Sequence, residues 1–328
     1  MKPAALSRRC APALSLVLLL SPSGAGAQFR LENSAKDAQY DCPMPSPDAL
    51  AATATRLGAA QWDKNKLGCA ADLWFALAES AVTEPMVKVQ ALMATTAYIE
   101  QINLLAGFDL YGVHEGEWAA RIHHAADHGK VLEERLAAMP VEDANVLAAR
   151  ALYRLTWPTR IADTKTQIAE SGAALQLLSK AVALDPKALE GNAVWILGRL
   201  YYDLPEFAGG DPAKGMALIE EAYRNTPQNV SLLRYSAYVF VQERDLPRAK
   251  QRLAEMLRLQ PDPANLQRLA DELKSASELA TRTGDAALAQ QLAAKRDQLF
   301  KATPQLLRRL GSAENMHGGV DPITGKDY

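Results

Sequence analysis

Four of the five histidines in this chain fall within fifteen residues, at His114, His123, His124 and His128. His124 and His128 stand four apart, so a helix would turn both imidazoles to one face. With Asp127 and Glu117 nearby, that face could hold zinc or copper through ring nitrogens and a carboxylate. The pattern is not His-Glu-x-x-His and no cysteine lies in the stretch, so a metal site at His124 and His128 stands against the plainer expectation of a solvated helix face. Elsewhere there is no Gly-x-Ser-x-Gly and no Cys-x-x-Cys, and no histidine lies close in sequence to a nucleophile. Binding without bond chemistry is therefore expected, with no cofactor.

Two further groups invite a functional reading. Gly209 and Gly210 precede Lys214, but a phosphate cradle needs Gly-x-x-x-x-Gly-Lys-Ser/Thr after a strand, and this order does not supply it. A tight turn fits better, with the glycines free to take positive φ and Asp211 capping a helix that Pro212 begins; Pro205 belongs to the same structural loop. Aromatic residues cluster at Trp195, Tyr201, Tyr202, Phe207, Tyr235 and Tyr238. They either pack successive helices together or line a surface that binds a partner or an apolar ligand.

The compartment follows from the N-terminus. Lys2, Arg8 and Arg9 precede the apolar run Ala13 to Leu20, and Ala25-Gly26-Ala27 offers small residues to a signal peptidase. Residues 1–27 are read as a signal peptide cleaved after Ala27, which places the protein in the periplasm. Cys10 lies ahead of the apolar run instead of closing it, so no lipid anchor is expected. Removing three of the 36 basic residues leaves 33 against 38 acidic ones, a net charge of −5. That balance gives no electrostatic footprint for nucleic acid or anionic lipid. No later stretch is apolar for long enough to span a membrane. In an oxidising compartment the two remaining cysteines, Cys42 and Cys69, are expected to form a disulfide. Closing that loop would stabilise by about 3 kcal/mol.

The elements that must carry these residues announce themselves by a spacing. Gly215, Ile219, Ala222 and Pro227 recur 34 residues later as Ala249, Leu253, Met256 and Pro261. An earlier copy reads Ala174, Leu178, Ala181 and Pro186, and a looser one Ala70, Trp74, Leu77 and Pro85. A small residue lets two helices approach, a large one four places on fills the groove, and proline ends the helix. This period and pattern resemble the tetratricopeptide-repeat family, most clearly over residues 165–261. Caps and prolines predict further helices near 48–61, 67–82, 85–106, 115–139, 141–157, 263–283 and 285–302, with Gly284 as a left-handed cap. The expected fold is all-α, a TPR-like α-solenoid or compact bundle of antiparallel helix pairs. The expected domains are an extended segment over 28–45, a helical domain over 46–310, and an extended or flexible tail over 311–328.

Between Pro186 and Pro227 the interval exceeds the period by seven residues, and the surplus lies in Asp203-Leu204-Pro205-Glu206-Phe207-Ala208-Gly209-Gly210-Asp211-Pro212. This loop is similar to the corresponding loop in the T component of TRAP transporters (TatT), a family of periplasmic tetratricopeptide-like helical proteins. The resemblance is good over about 187–227. It implies a non-catalytic binding or scaffold protein of an envelope transport system, docking a protein such as the transporter's substrate-binding component. It also implies a lumen between helices able to take an apolar molecule, which makes a carrier of a lipid-like small molecule the alternative function. A metal-binding protein built on the 114–128 histidines is the second.

Overall fold

The computed structural model describes residues 42, 45–60, 63–80, 84–105, 117–140, 142–156, 164–262 and 265–306. All of them lie in the compact unit Ser34–Tyr328. The expected signal peptide, most of the segment 28–45, the tail 311–328 and His114 fall outside the described residues.

Among the described residues twelve α-helices follow one another: α1 (Leu50–Gly58), α2 (Lys64–Ser80), α3 (Pro85–Leu105), α4 (Glu117–Ala138), α5 (Ala144–Thr156), α6 (Thr164–Leu184), α7 (Asn192–Asp203), α8 (Pro212–Asn225), α9 (Val230–Gln242), α10 (Leu246–Arg258), α11 (Leu266–Arg282) and α12 (Ala286–Ala302). There is no strand among the described residues. The strongest packing is between neighbours in sequence, α1 with α2, α2 with α3, α5 with α6, α7 with α8, α9 with α10 and α11 with α12. Short connections make such neighbours antiparallel. The fold is thus an all-α solenoid or bundle of helix pairs. No helix among the described residues is long and apolar enough to cross a membrane.

The 34-residue spacing sits where close packing needs it. Ala174, Gly215 and Ala249 are buried on α6, α8 and α10, the second helix of three successive pairs. Leu178, Ile219 and Leu253, four places on, are fully enclosed, as are Ala181, Ala222 and Met256. At Gly215 the approach leaves no room for a side chain. A Cβ there would lie 2.7 Å from the carbonyl oxygen of Gly198 on α7.

The turns are built from local chemistry. Asp211, Asp245 and Asp285 each accept a hydrogen bond from the backbone N–H three residues on, so α8, α10 and α12 begin on the same cap. Pro212 and Pro247 occupy the first turn of α8 and α10, where a missing N–H costs nothing. The residue just before the cap takes positive φ at Arg244 (58°) and Gly284 (74°). At its far end α10 is closed by Lys295 of α12, whose ammonium donates to the carbonyls of Met256, Leu257 and Leu259 at 3.2, 2.7 and 2.5 Å. A cation belongs at a helix C-terminus, where the orphan carbonyls gather.

Near the N-terminus, Cys42 and Cys69 form a disulfide, with Cα atoms 5.2 Å apart. It pins the chain before α1 onto α2, beside an apolar cluster of Ala54, Leu57, Ala70 and Leu73.

Candidate functional site

The inserted loop between α7 and α8 is ordered by its own backbone. Leu204 is buried, Pro205 is extended, and Glu206–Ala208 make one 3-10 turn. The N–H groups of Ala208 and Gly210 both donate to the Pro205 carbonyl, at 2.9 and 3.1 Å, and that of Asp211 donates to Tyr201 at 2.7 Å. Gly209 has φ +93°, and a Cβ on Gly210 would fall 1.7 Å from the Leu204 oxygen. No other residue type fits there without moving the chain. Asp211 then caps α8 through the Lys214 N–H at 3.0 Å.

This frame holds two side chains at the surface. Phe207 is 81% exposed, the most exposed large hydrophobic residue among those described. Tyr201, half-buried, takes a 2.6 Å hydrogen bond from the Lys214 ammonium and shares one of 3.2 Å with Ser179. Burial raises the Tyr201 phenol, but the bonds to Lys214 and Ser179 outweigh it and leave it below its ordinary value.

The other four aromatic candidates are enclosed. Trp195, Tyr202, Tyr235 and Tyr238 belong to the apolar cluster that runs from α7 to α12. The polar ends of Tyr202 and Tyr235 are occupied from neighbouring elements, and that of Trp195 from its own helix. The Tyr202 hydroxyl donates to Glu243, that of Tyr235 to Asp203, both at 2.7 Å, and the Trp195 ring N–H donates to Asn192 at 3.0 Å. Burial first, then the Asp203 charge, push the Tyr235 phenol well above its ordinary value. The structure therefore separates the six, with Phe207 exposed, Tyr201 half-buried and the rest between helices.

The histidines lie on α4. His123 is exposed, whereas His124 and His128 turn inward toward α2. There Asp72, only 9% exposed at its side chain, meets both: its Oδ1 is 3.2 Å from His124 Nε2 and 3.5 Å from His128 Nδ1. The His128 ring stacks on Phe75 at 3.7 Å between centroids. The hydrogen bond to Asp72 raises the His124 imidazole above its ordinary value, against burial, which lowers it. Asp127 is exposed on the same helix, and Glu117 begins it.

Asp72 is the middle rung of a ladder. Asn65 pairs with Arg121 at 2.8 Å, Asp72 with His128, and Glu79 with Arg135. Each rung joins residues 56 apart, and each step is seven residues on both helices. Helices α2 and α4 therefore run parallel, their polar contacts recurring every two turns, about 10.5 Å apart. From the other side Tyr153 of α5 lays its ring where a side chain at Gly129 would be, and its hydroxyl donates to Ala126 at 2.8 Å. That contact fixes α4 beside His128.

Sequence reading found the two imidazoles but not the carboxylate. Asp127 and Glu117 were the near neighbours; Asp72 comes from 52 residues away. A signal was present, because Asp72 is the only charged residue in the stretch Leu67 to Ala78, and a lone acid in an apolar run needs a partner when buried.

A sequence model of the family described as TRAP transporter T-component matches residues 114–294, more than half of the chain. No curated protein matches it.

Proposed function

Since this chain belongs to the TRAP transporter T-component family, we propose that it works in the periplasm as a non-catalytic, tetratricopeptide-like docking protein for another subunit of such a transporter. The family match supports the transport role, and the Cys42–Cys69 disulfide supports an oxidising compartment. The partner we infer is the substrate-binding subunit, and the contact surface we infer includes the loop Leu204–Asp211.

The observation that carries this choice is Phe207. A phenylalanine 81% exposed is costly in water, yet its backbone is held by the 3-10 turn, by Gly209 at positive φ and by Gly210, where any Cβ would strike the Leu204 carbonyl. An aromatic anchor fixed before binding loses little entropy when it enters a partner's pocket. Lys214 and Tyr201, linked to each other at the two ends of this loop, would supply a polar rim.

Titration of the purified chain with the substrate-binding subunit of its transporter tests the reading. Phe207→Ala is expected to weaken binding by about 10- to 30-fold, the loss of a hot-spot aromatic, while leaving helix content and melting temperature unchanged. Unaltered affinity would move the docking surface off this loop. No binding to any transporter subunit would remove the docking role itself.

A further inference from the structure

We propose that Asp72, His124 and His128 form a binding site for a divalent transition metal, with zinc the ion whose geometry they fit. The observation is convergence. One carboxylate oxygen from α2 and one ring nitrogen from each of two imidazoles on α4 all lie within 4.8 Å of one another. Zinc bonds of 2.0 to 2.1 Å at tetrahedral angles separate neighbouring ligand atoms by about 3.3 Å. The two separations from Asp72 Oδ1, 3.2 and 3.5 Å, bracket that value.

The donor set suits the ion. Two neutral imidazoles and a carboxylate bind zinc well and magnesium or calcium poorly, because those ions favour shells of oxygen. His124 and His128 stand four residues apart, about one helical turn, so both rings reach the same point without bending α4. The surroundings also restrict ring rotation. Phe75 lies parallel to the His128 ring at 3.7 Å, and Asp72 and both histidines are less than one fifth exposed at their side chains. Such outer contacts orient metal ligands before the ion arrives. Three protein ligands leave a fourth position of a tetrahedral ion for water or an outside group. The position in the fold gives the site a consequence. It sits at the middle rung between α2 and α4, so an ion there would clamp two helices at a point between the Asn65–Arg121 and Glu79–Arg135 pairs.

This inference does not depend on the docking role. Zinc chloride titrated by calorimetry into the full chain, after treatment with chelator and dialysis, tests it. One saturable site per chain is expected, with a dissociation constant in the micromolar range or tighter. The melting temperature should rise by about 5 °C at a hundredfold excess over that constant. Asp72→Asn, His124→Gln and His128→Gln should each weaken binding tenfold or more, and His123→Gln, at the exposed neighbour, should not. Cobalt(II) added to the unaltered protein should give the visible absorption of a tetrahedral site, a readout that needs no variant to fold. Absence of a saturable site at about 100 μM zinc would overturn the proposal. So would zinc affinity unchanged in the His124→Gln/His128→Gln double variant.

Discussion

A methyl group added at Gly215 would stand 2.7 Å from the Gly198 carbonyl oxygen and 2.7 Å from the Tyr202 amide nitrogen. Both are backbone atoms of α7, so the clash can be relieved only by moving the helix. In an unpacked helix, glycine to alanine stabilises by up to about 1 kcal/mol. Here overpacking of about 1 to 3 kcal/mol opposes that gain, and we expect Gly215→Ala to destabilise by about 1 to 2 kcal/mol. Gly172 on α6 is the control, with nothing within 4 Å of an added Cβ. Gly172→Ala should stabilise by about 0.5 to 1 kcal/mol. Urea unfolding of the two variants checks the pair, and a shift in the same direction would mean that close approach is not what requires glycine at 215. At this scale the sequence was legible wherever the needed quantity was side-chain size. Small residues at 174, 215 and 249 marked the crossings because size alone sets how near two backbones come. Asp72 was hidden because its chemistry depends on residues that join it only after α3 has carried the chain back. The aromatics were ambiguous for the same reason: whether Tyr235 packs or binds depends on Asp203, 32 residues earlier.

Helix starts show how one local device is reused. Asp211 and Asp245 are 34 residues apart and cap α8 and α10 in the same way, so the period extends to a polar residue as well as to the apolar ones. Prolines and caps make these boundaries readable, and Gly284 stands at positive φ as a left-handed cap requires. Arg244 occupies the corresponding place at φ 58°, which no residue preference would have indicated. The cap at Asp245 also carries a pH dependence. Its carboxylate accepts from the Arg248 side chain first and from the Arg248 amide second, and these hold it below its ordinary value of 3.8. A folded-state value lowered in this way means that the charged cap stabilises fully above the unfolded value. The contribution disappears as the pH falls through the folded value. Asparagine caps nearly as well but does not titrate. Melting temperatures of wild type and Asp245→Asn should therefore differ most near neutrality and converge below pH 3.8. A gap of constant size down to about pH 2 would show that charge contributes nothing to this cap.

Across the whole helical unit, the apolar side chains form clusters that hand over from one pair to the next. Trp74 packs against both the α1–α2 cluster and the one spanning α2 to α5. Val182, Ile196 and Leu218 bridge the cluster of α5 to α7 and that of α7 to α12. An array joined by nearest neighbours transmits a local loss of stability over a short range. The disulfide gives a way to measure that range, because it acts at one end. Cys42 and Cys69 close a loop of 27 residues around α1, and opening it should cost about 3 kcal/mol. If coupling is by neighbours, replacing both cysteines with serine should speed amide exchange over residues 50–80 and leave 230–282 protected as before. Wild type and variant compared by hydrogen-exchange mass spectrometry decide this. Equal acceleration along the whole chain would show that the pairs unfold as a single cooperative body, with the clusters acting as one core.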